Sequence, residues 1–418
     1  MPGRNVSPNL ALNQLVAERT AAGESLVHLG FGEARLPAFA PLLDRLAAGA
    51  RRNAYGPVAG GPDVREALAG YFTRRRMPTD ADQVVVAPGS KPLLMALNMT
   101  VPGDVLLPRP CWNTYAPQAE FMGKKAIGVP IPDSCGGVPD PAALREAIRA
   151  ARLLGHDPRI VVVTLPDNPT GTLAPPALVR EICAIAEDED LLIVSDEIYR
   201  DVVHDPATEV LSPAEVAPRR TVVTTGLSKS LALGGWRIGA ARFPEGPWGR
   251  RLRDGVVSAA SEVWSTLAGP MQEVAAYAFA EPPEIRDRLA ATARLHGAVA
   301  REVHRIMVAS GAVCRPPTGA FYVYPDFEPL RGELAALGVT DSLSLHEHLV
   351  DEFGVVVLAG HHLGDDAGAL RFKAATSMLY GDTAGQQEQA LAAADPLTLP
   401  HVRDVLLRIE ETFTKLVP

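Results

Sequence analysis

Leu191-Leu192-Ile193-Val194-Ser195-Asp196-Glu197-Ile198-Tyr199 is an unbroken apolar run that stops on a hydroxyl, two carboxylates and a phenol. A parallel strand covered on both faces reads this way, because neither face meets water. Such sheets carry their chemistry at the carboxyl ends of the strands. Upstream, Ile160-Val161-Val162-Val163-Thr164-Leu165 runs into Pro166-Asp167-Asn168-Pro169-Thr170-Gly171-Thr172. Downstream, Thr225-Gly226-Leu227-Ser228-Lys229-Ser230 sets an amine among small residues, with Arg237 eight positions further on. Similar runs alternate with helical stretches from about residue 60 to 245, which predicts crossover connections and a mostly parallel α/β sheet. The Ala/Arg-rich stretch 284–308 reads as one long helix, after which the pattern becomes shorter and mixed, as for a smaller domain.

The polar groups at these strand ends match the needs of a pyridoxal phosphate site. That chemistry requires an amine for an imine, an acid on the pyridine nitrogen, donors to the ring oxygen, a flat face against the ring and a cradle for a phosphate. Lys229, freed when substrate displaces it, is the natural proton carrier at the substrate's α-carbon. Asp196 suits the pyridine nitrogen, while Tyr199 and Asn168 suit the ring oxygen. Val84-Val85-Val86-Ala87-Pro88-Gly89-Ser90-Lys91-Pro92 reads as a strand, a tight turn and a helix start, whose free N–H groups attract anions. Ser228 and Arg237 complete that cup, Arg237 by a two-pronged grip. After the short strand Asp104-Val105-Leu106-Leu107, the segment Pro110-Cys111-Trp112-Asn113-Thr114-Tyr115 offers Trp112 as the stacking face.

Asn168-Pro169-Thr170-Gly171, Ser195-Asp196-Glu197-Ile198-Tyr199 and Ser228-Lys229 with Arg237, in this order and spacing, resemble the fold-type I pyridoxal phosphate enzymes and, within them, the class I/II aminotransferases. The similarity runs from about His28 to the last helix. It implies a large domain over 46–294, with a mostly parallel sheet flanked by helices, and a smaller α+β domain built from both termini, 1–45 and 295–418. It implies Lys229 as the Schiff-base lysine, Asp196 on the pyridine nitrogen, Tyr199 and Asn168 on the ring oxygen and Trp112 on the ring face. Gly89, Ser90, Lys91, Ser228 and Arg237 would surround the phosphate. Asn53-Ala54-Tyr55-Gly56-Pro57 resembles the segment whose tyrosine, here Tyr55, reaches the phosphate of a neighbouring subunit, which implies a homodimer with shared active sites. Gly368-Ala369-Leu370-Arg371-Phe372-Lys373 resembles the strand whose arginine, here Arg371, pairs with the substrate carboxylate, and Gly32 lies in the segment that closes over substrate. The expected reaction moves an amino group between an amino acid and a 2-oxo acid. The same residues also begin elimination, replacement, cyclisation or oxidation in relatives of specialised metabolism, and the motifs do not choose among these exits.

Composition narrows the setting. A chain of 418 residues with 47% hydrophobic content is long enough for two or three domains around a real core, and a net charge of −9 argues against nucleic acid as a partner. No basic segment precedes residue 28, which disfavours a pyridoxal-sensing regulator. The absence of an 18-residue apolar stretch and the start Met1-Pro2-Gly3-Arg4-Asn5 predict a soluble cytoplasmic protein without a membrane partner. Cys111, Cys135, Cys183 and Cys314 lack metal-type pairing and read as free thiols, Cys111 as a small hydrophobe beside Trp112.

Weaker features carry two readings each. His361-His362 stands where relatives have a Pro-Gly turn and a Phe-Gly pair: either a loop substitution or an imidazole facing the substrate. Lys91 is either a helix-start charge at the phosphate or, as in some dicarboxylate-using relatives, the partner of a substrate's distal acid. His346 and His348 do not share a helical face in the manner of a zinc pair and read as structural or surface residues, and His28 as packing. The stretch 377–396 is longer than the usual link to the closing helix: either a tolerated surface insertion or a segment that helps cover the site or a dimer edge.

Overall fold

The computed structural model describes residues 7–132 and 136–416; Cys135 and the extreme amino terminus lie outside the described residues. Its strands are β1 (Val27–His28), β2 (Val84–Ala87), β3 (Asp104–Arg109), β4 (Ala126–Pro130), β5 (Pro158–Thr164), β6 (Leu192–Asp196), β7 (Thr221–Gly226), β8 (Gly239–Arg242), β9 (Tyr322–Val323), β10 (Val355–Val356), β11 (Leu358–Ala359) and β12 (Phe372–Ala375).

Seven of them form one sheet in the order β2-β8-β7-β6-β5-β3-β4. All neighbours are parallel except β8, which runs antiparallel to both β2 and β7. The apolar runs of β5 and β6 follow from burial on both faces. Ile160, Val162, Leu192 and Val194 pack on one side with Leu93, Leu97 and Val256. Val161, Val163 and Ile193 pack on the other with Leu144, Ile148, Val179 and Ile182. Each such side chain contributes about 1.5–3 kcal/mol by leaving water, so the interior strands are the least replaceable part of the fold.

The flanking helices show how sequence fixes orientation. In Pro141–Leu153 the Asp140 carboxylate accepts from the Ala143 N–H at 2.9 Å, which starts the helix, and Leu144, Ile148 and Ala151 recur on its buried face. The helix Pro283–Ala309 is the long one expected, and 27 residues make it about 40 Å long at 1.5 Å per residue. Beyond it lie two small sheets, β1-β10 and β11-β12-β9. One apolar cluster joins Val27, Leu29 and Leu36 to Val299, Val303, Phe372 and Phe413, so residues from both ends of the chain share a core. The expected boundaries at 45/46 and 294/295 both fall inside helices, Ala40–Gly49 and Pro283–Ala309. Leu42 packs with Val64 and Leu68 of the large part, so the helix Ala40–Gly49 carries the chain from one core to the other.

The stretch 377–396 contains the helix Ala384–Ala392, whose Ala390 and Leu391 join the same core as Val299 and Val303. Glu388 pairs with Arg288 at 3.2 Å. None of its residues 383–395 lines the principal cavity described below, so the reading in which it covers the site is corrected: its apolar face is used against the long helix. No helix among the described residues is long and apolar enough to cross a membrane.

Candidate active site

The carboxyl ends of β5, β6 and β7 open into a cavity of about 470 Å³. Ladder register alone sets Thr164 beside Asp196, and Asp196 beside Thr224. Asp196 is buried, and it accepts from Tyr115 Oη at 2.8 Å and from Thr224 Oγ1 at 3.1 Å. Tyr115 Oη also meets Thr164 Oγ1 at 3.0 Å. Burial raises the Asp196 carboxyl from its ordinary 3.8 to about 6, against the opposite pull of the two donated hydrogen bonds. A cationic N–H brought to this carboxylate would relieve that desolvation.

Lys229 sits on the one-turn helix Leu227–Ser230 that follows β7, and its Nζ donates to the Gly32 carbonyl. Burial lowers its pKa from 10.5 to about 8; Glu33 pulls it back up, while Arg237 and Lys91 push it down. A lysine held near 8 is deprotonated often enough near neutral pH to act as a nucleophile and a base. Gly32 approaches so closely that a Cβ there would lie 2.3 Å from Tyr322 Oη. Tyr322 in turn meets Tyr199 Oη at 2.6 Å, and Asn168 Nδ2 lies 3.5 Å from that same Tyr199 oxygen. Asn168 Oδ1 is buried with no hydrogen-bond partner, one of the unsatisfied atoms that a bound group would be expected to explain.

Gly89 holds φ +95, and a Cβ on it would fall 2.2 Å from Arg237 Nη2, so only glycine lets the turn before the helix Ser90–Thr100 meet that guanidinium. Arg237 itself adopts a left-handed backbone at φ 57, an uncommon state for a residue with a side chain, and its Nη1 donates to Gly234 O at 2.7 Å. Ser90, Lys91, Ser228 and Arg237 therefore surround one end of the cavity with a helix start, two hydroxyls and two cations. Those donors fit a phosphate, and the buried carboxylate, the lysine, and the Tyr199 hydroxyl with Asn168 Nδ2 beside it fit the ring end of pyridoxal phosphate.

Of the residues singled out from sequence, Gly32, Ser90, Lys91, Trp112, Asn168, Asp196, Tyr199, Ser228, Lys229 and Arg237 line this one cavity, with Gly89 directly behind Arg237. Tyr55 does not; it is 91% exposed on an irregular segment. Arg371 does not either. Its Nε donates to Asp326 at 2.8 Å and its Nη1 lies 3.4 Å from Asp365, so two carboxylates hold the guanidinium apart from the residues that line the cavity. His361 and His362 are also outside it: His361 Nδ1 meets Ser342 Oγ at 2.8 Å, and the two rings lie 4.0 Å apart, centroid to centroid, with their planes tilted by 45°. The loop-substitution reading is the one this geometry favours. Cys111 is buried and its thiol is pushed far up by burial, so it is not a thiolate.

Tyr115, Thr164, Thr224, Tyr322 and Lys373 were not singled out. Tyr115 lies three residues after Trp112, and the strand-end position of Thr164 was a usable signal; Thr224 is visible only once β6 and β7 are in register. Lys373 stands two residues after Arg371, on the same face by strand periodicity, so spacing could not choose between them.

Fold and donor set together define an enzyme that handles amino groups with a phosphate-bearing carbonyl cofactor. Residues 26–379 match the family described as aminotransferase class I and II, and the chain belongs to it. The aspartate/prephenate aminotransferase of Thermus thermophilus is 30% identical over 369 residues, covering 85% of this chain and 88% of that protein. A probable aspartate/prephenate aminotransferase of Thermus aquaticus is 31% identical over 337 residues, covering 77% and 82%. The structure of Thermus thermophilus aspartate aminotransferase with maleate superimposes with a TM-score of 0.82 at 25% identity over 100% of both chains. The protein is an aminotransferase, and pyridoxal 5'-phosphate is the cofactor of its class.

Proposed function

We propose that this aminotransferase takes its amino group from an acidic amino acid and passes it to a 2-oxo acid, with Lys91 meeting the donor's distal carboxylate. The observation that carries this is the placement of Lys91: it lines the cavity, its ammonium lies 5.2 Å from the Trp112 ring centroid, and burial and Arg237 lower its pKa. Relatives named for aspartate and prephenate, and a similar structure holding the dicarboxylate maleate, support the same substrate class.

The assignments follow the groups. Pyridoxal phosphate, when bound, supplies a carbonyl that takes up the amino group and a ring that withdraws electrons from the substrate's α-carbon. Asp196, oriented by Tyr115 and Thr224, would keep the ring nitrogen of the bound cofactor protonated. Tyr199 and Asn168 would donate to its ring oxygen, Trp112 would lie against the ring, and Ser90, Ser228 and Arg237 would hold the phosphate. Lys229 would take the proton from the substrate's α-carbon. The Gly30–Glu33 segment is near enough to exclude water, since Gly32 O already reaches Lys229.

The reading extends to assembly. A cytoplasmic homodimer, with Tyr55 crossing to the partner's phosphate, is supported by the exposure of that tyrosine and by the unpaired thiols of Cys111, Cys183 and Cys314 among the described residues. A division into 46–294 and 1–45 plus 295–418 is supported by the separate apolar cores. The deciding experiment mixes the holoenzyme with single amino acids and no acceptor. Accumulation of the amine form of the cofactor with aspartate and glutamate, and a selective loss for those donors in Lys91→Ala, is the expected result. Equal weakening of acidic and neutral donors removes the role of Lys91, and regeneration of the aldehyde form with loss of a leaving group points to elimination instead.

A further inference from the structure

The cavity contains a second buried lysine that the sequence motifs do not explain. Lys373 lies on β12, is 1% exposed and lines the cavity beside Tyr322. Among the described residues its ammonium has no ion pair and no hydrogen bond; it lies over the Tyr322 ring, 5.2 Å from the centroid. A buried charge without a counter-ion is unfavourable by several kcal/mol, so a protein keeps one where a ligand supplies the missing partner. Meanwhile Arg371, two residues earlier on the same strand face, is already neutralised by Asp326 and Asp365, and Asp365 is itself fixed by Tyr324 Oη at 2.8 Å. A substrate carboxylate would have to displace two aspartates to reach Arg371, whereas Lys373 is open to it.

We propose that Lys373, and not Arg371, anchors the substrate's α-carboxylate in this enzyme. The α-carboxylate is bonded to the carbon from which Lys229 takes a proton, so its anchor has to lie close to Lys229. Lys373 meets that requirement: its ammonium lies 5.2 Å from the Tyr322 ring centroid, and the hydroxyl of Tyr322 abuts Gly32, whose carbonyl accepts from Lys229 Nζ; burial first, and the charge of Lys229 second, bring the pKa of Lys373 to about 7. Lys91 lies toward Trp112 and Arg237, at the phosphate end, and so is left for a more distant group. The α-carboxylate is common to every amino acid, so the inference rests on the aminotransferase chemistry of the family and not on the acidic-donor reading. A lysine holds a carboxylate as a point charge and not by the paired bonds of a guanidinium, so orientation of the substrate falls more heavily on Tyr322 and Asn168 around it.

The test compares aspartate with its α-amide, and alanine with alaninamide, in the half-reaction of the holoenzyme, followed by cofactor absorbance. The variants are Lys373→Met, Lys373→Arg and Arg371→Met. A second readout, independent of turnover, is the affinity for maleate from spectral titration. In Lys373→Met the apparent dissociation constants of both acids should rise about 10- to 100-fold while those of the amides stay put, the size expected for one charge-assisted bond. Maleate should weaken to the same extent, Lys373→Arg should recover part of the preference, and Arg371→Met should keep it. Retention of the acid preference in Lys373→Met overturns the proposal, as does its loss in Arg371→Met or a wild-type enzyme that does not distinguish acid from amide. Should Lys373→Met fail to fold, the Arg371→Met result decides alone. Should no donor convert the cofactor, the aminotransferase reading falls, while maleate binding to the three variants still locates the carboxylate anchor.

Discussion

Tyr115 donates its hydroxyl hydrogen to the buried Asp196 carboxylate across 2.8 Å. The phenol comes from the first residue of the helix Tyr115–Phe121 and the acid from the end of β6, so the bond ties the stacking loop to the floor of the site. Replacing Tyr115 by Phe should cost the cofactor-free protein about 1.5–3 kcal/mol at pH 8, where the acceptor is charged, and less at pH 4, where it is not. Urea unfolding at the two pH values reads the difference. Equal losses would show that Tyr115 acts by packing alone.

Asp196 makes stability depend on pH with a definite sign. Its pKa is raised on folding, so its contribution is present below 3.8 and is lost as pH rises through about 6. The stability of the wild-type apoprotein relative to Asp196→Asn should therefore fall by up to about 3 kcal/mol between pH 4 and pH 7 and stay level above. A flat difference across that range would place the group outside the low-dielectric floor assigned to it.

At the phosphate end, Gly89→Ala combines an unfavourable backbone state with a Cβ 2.2 Å from Arg237 Nη2. Strain of about 1–3 kcal/mol and a displaced guanidinium should weaken cofactor affinity by about 10- to 100-fold. Gly235→Ala is the control, because a Cβ there meets nothing within 4 Å. Cofactor dissociation constants for the two variants should separate clearly, and similar values would remove the Gly89–Arg237 contact from the phosphate cradle.

Away from the cavity, Arg75 lies between Asp201 at 2.6 Å and Glu281 at 2.5 Å, with its guanidinium 3.5 Å from the Tyr71 ring centroid. Arg75→Met leaves two largely buried carboxylates short of a partner and should cost about 3 kcal/mol. Arg74 also reaches Glu281, at 2.7 Å, and limits the damage. Thermal unfolding checks this, and added salt should restore little because the groups are screened poorly by solvent. A melting temperature within a degree or two of wild type would mean the network reorganises.

Much of this protein was legible in one dimension. Apolar runs ending in polar residues forecast β5 and β6, because burial on both faces leaves no place for alternation. The tight turn at Gly89 and the amine among small residues at Lys229 forecast the two ends of the cavity, since phosphate binding and imine chemistry each demand particular residue types. Tertiary structure decided what spacing cannot express. Ladder register set Thr164, Asp196 and Thr224 side by side. Packing turned the 377–396 stretch toward the long helix. Most consequentially, Asp326 and Asp365 withdrew Arg371 from the cavity and left Lys373 facing it. Two cations two residues apart on one strand are equivalent to a sequence pattern; which one remains free to bind depends on the carboxylates the fold brings against them, Asp326 from 45 residues away and Asp365 from the loop just before the strand.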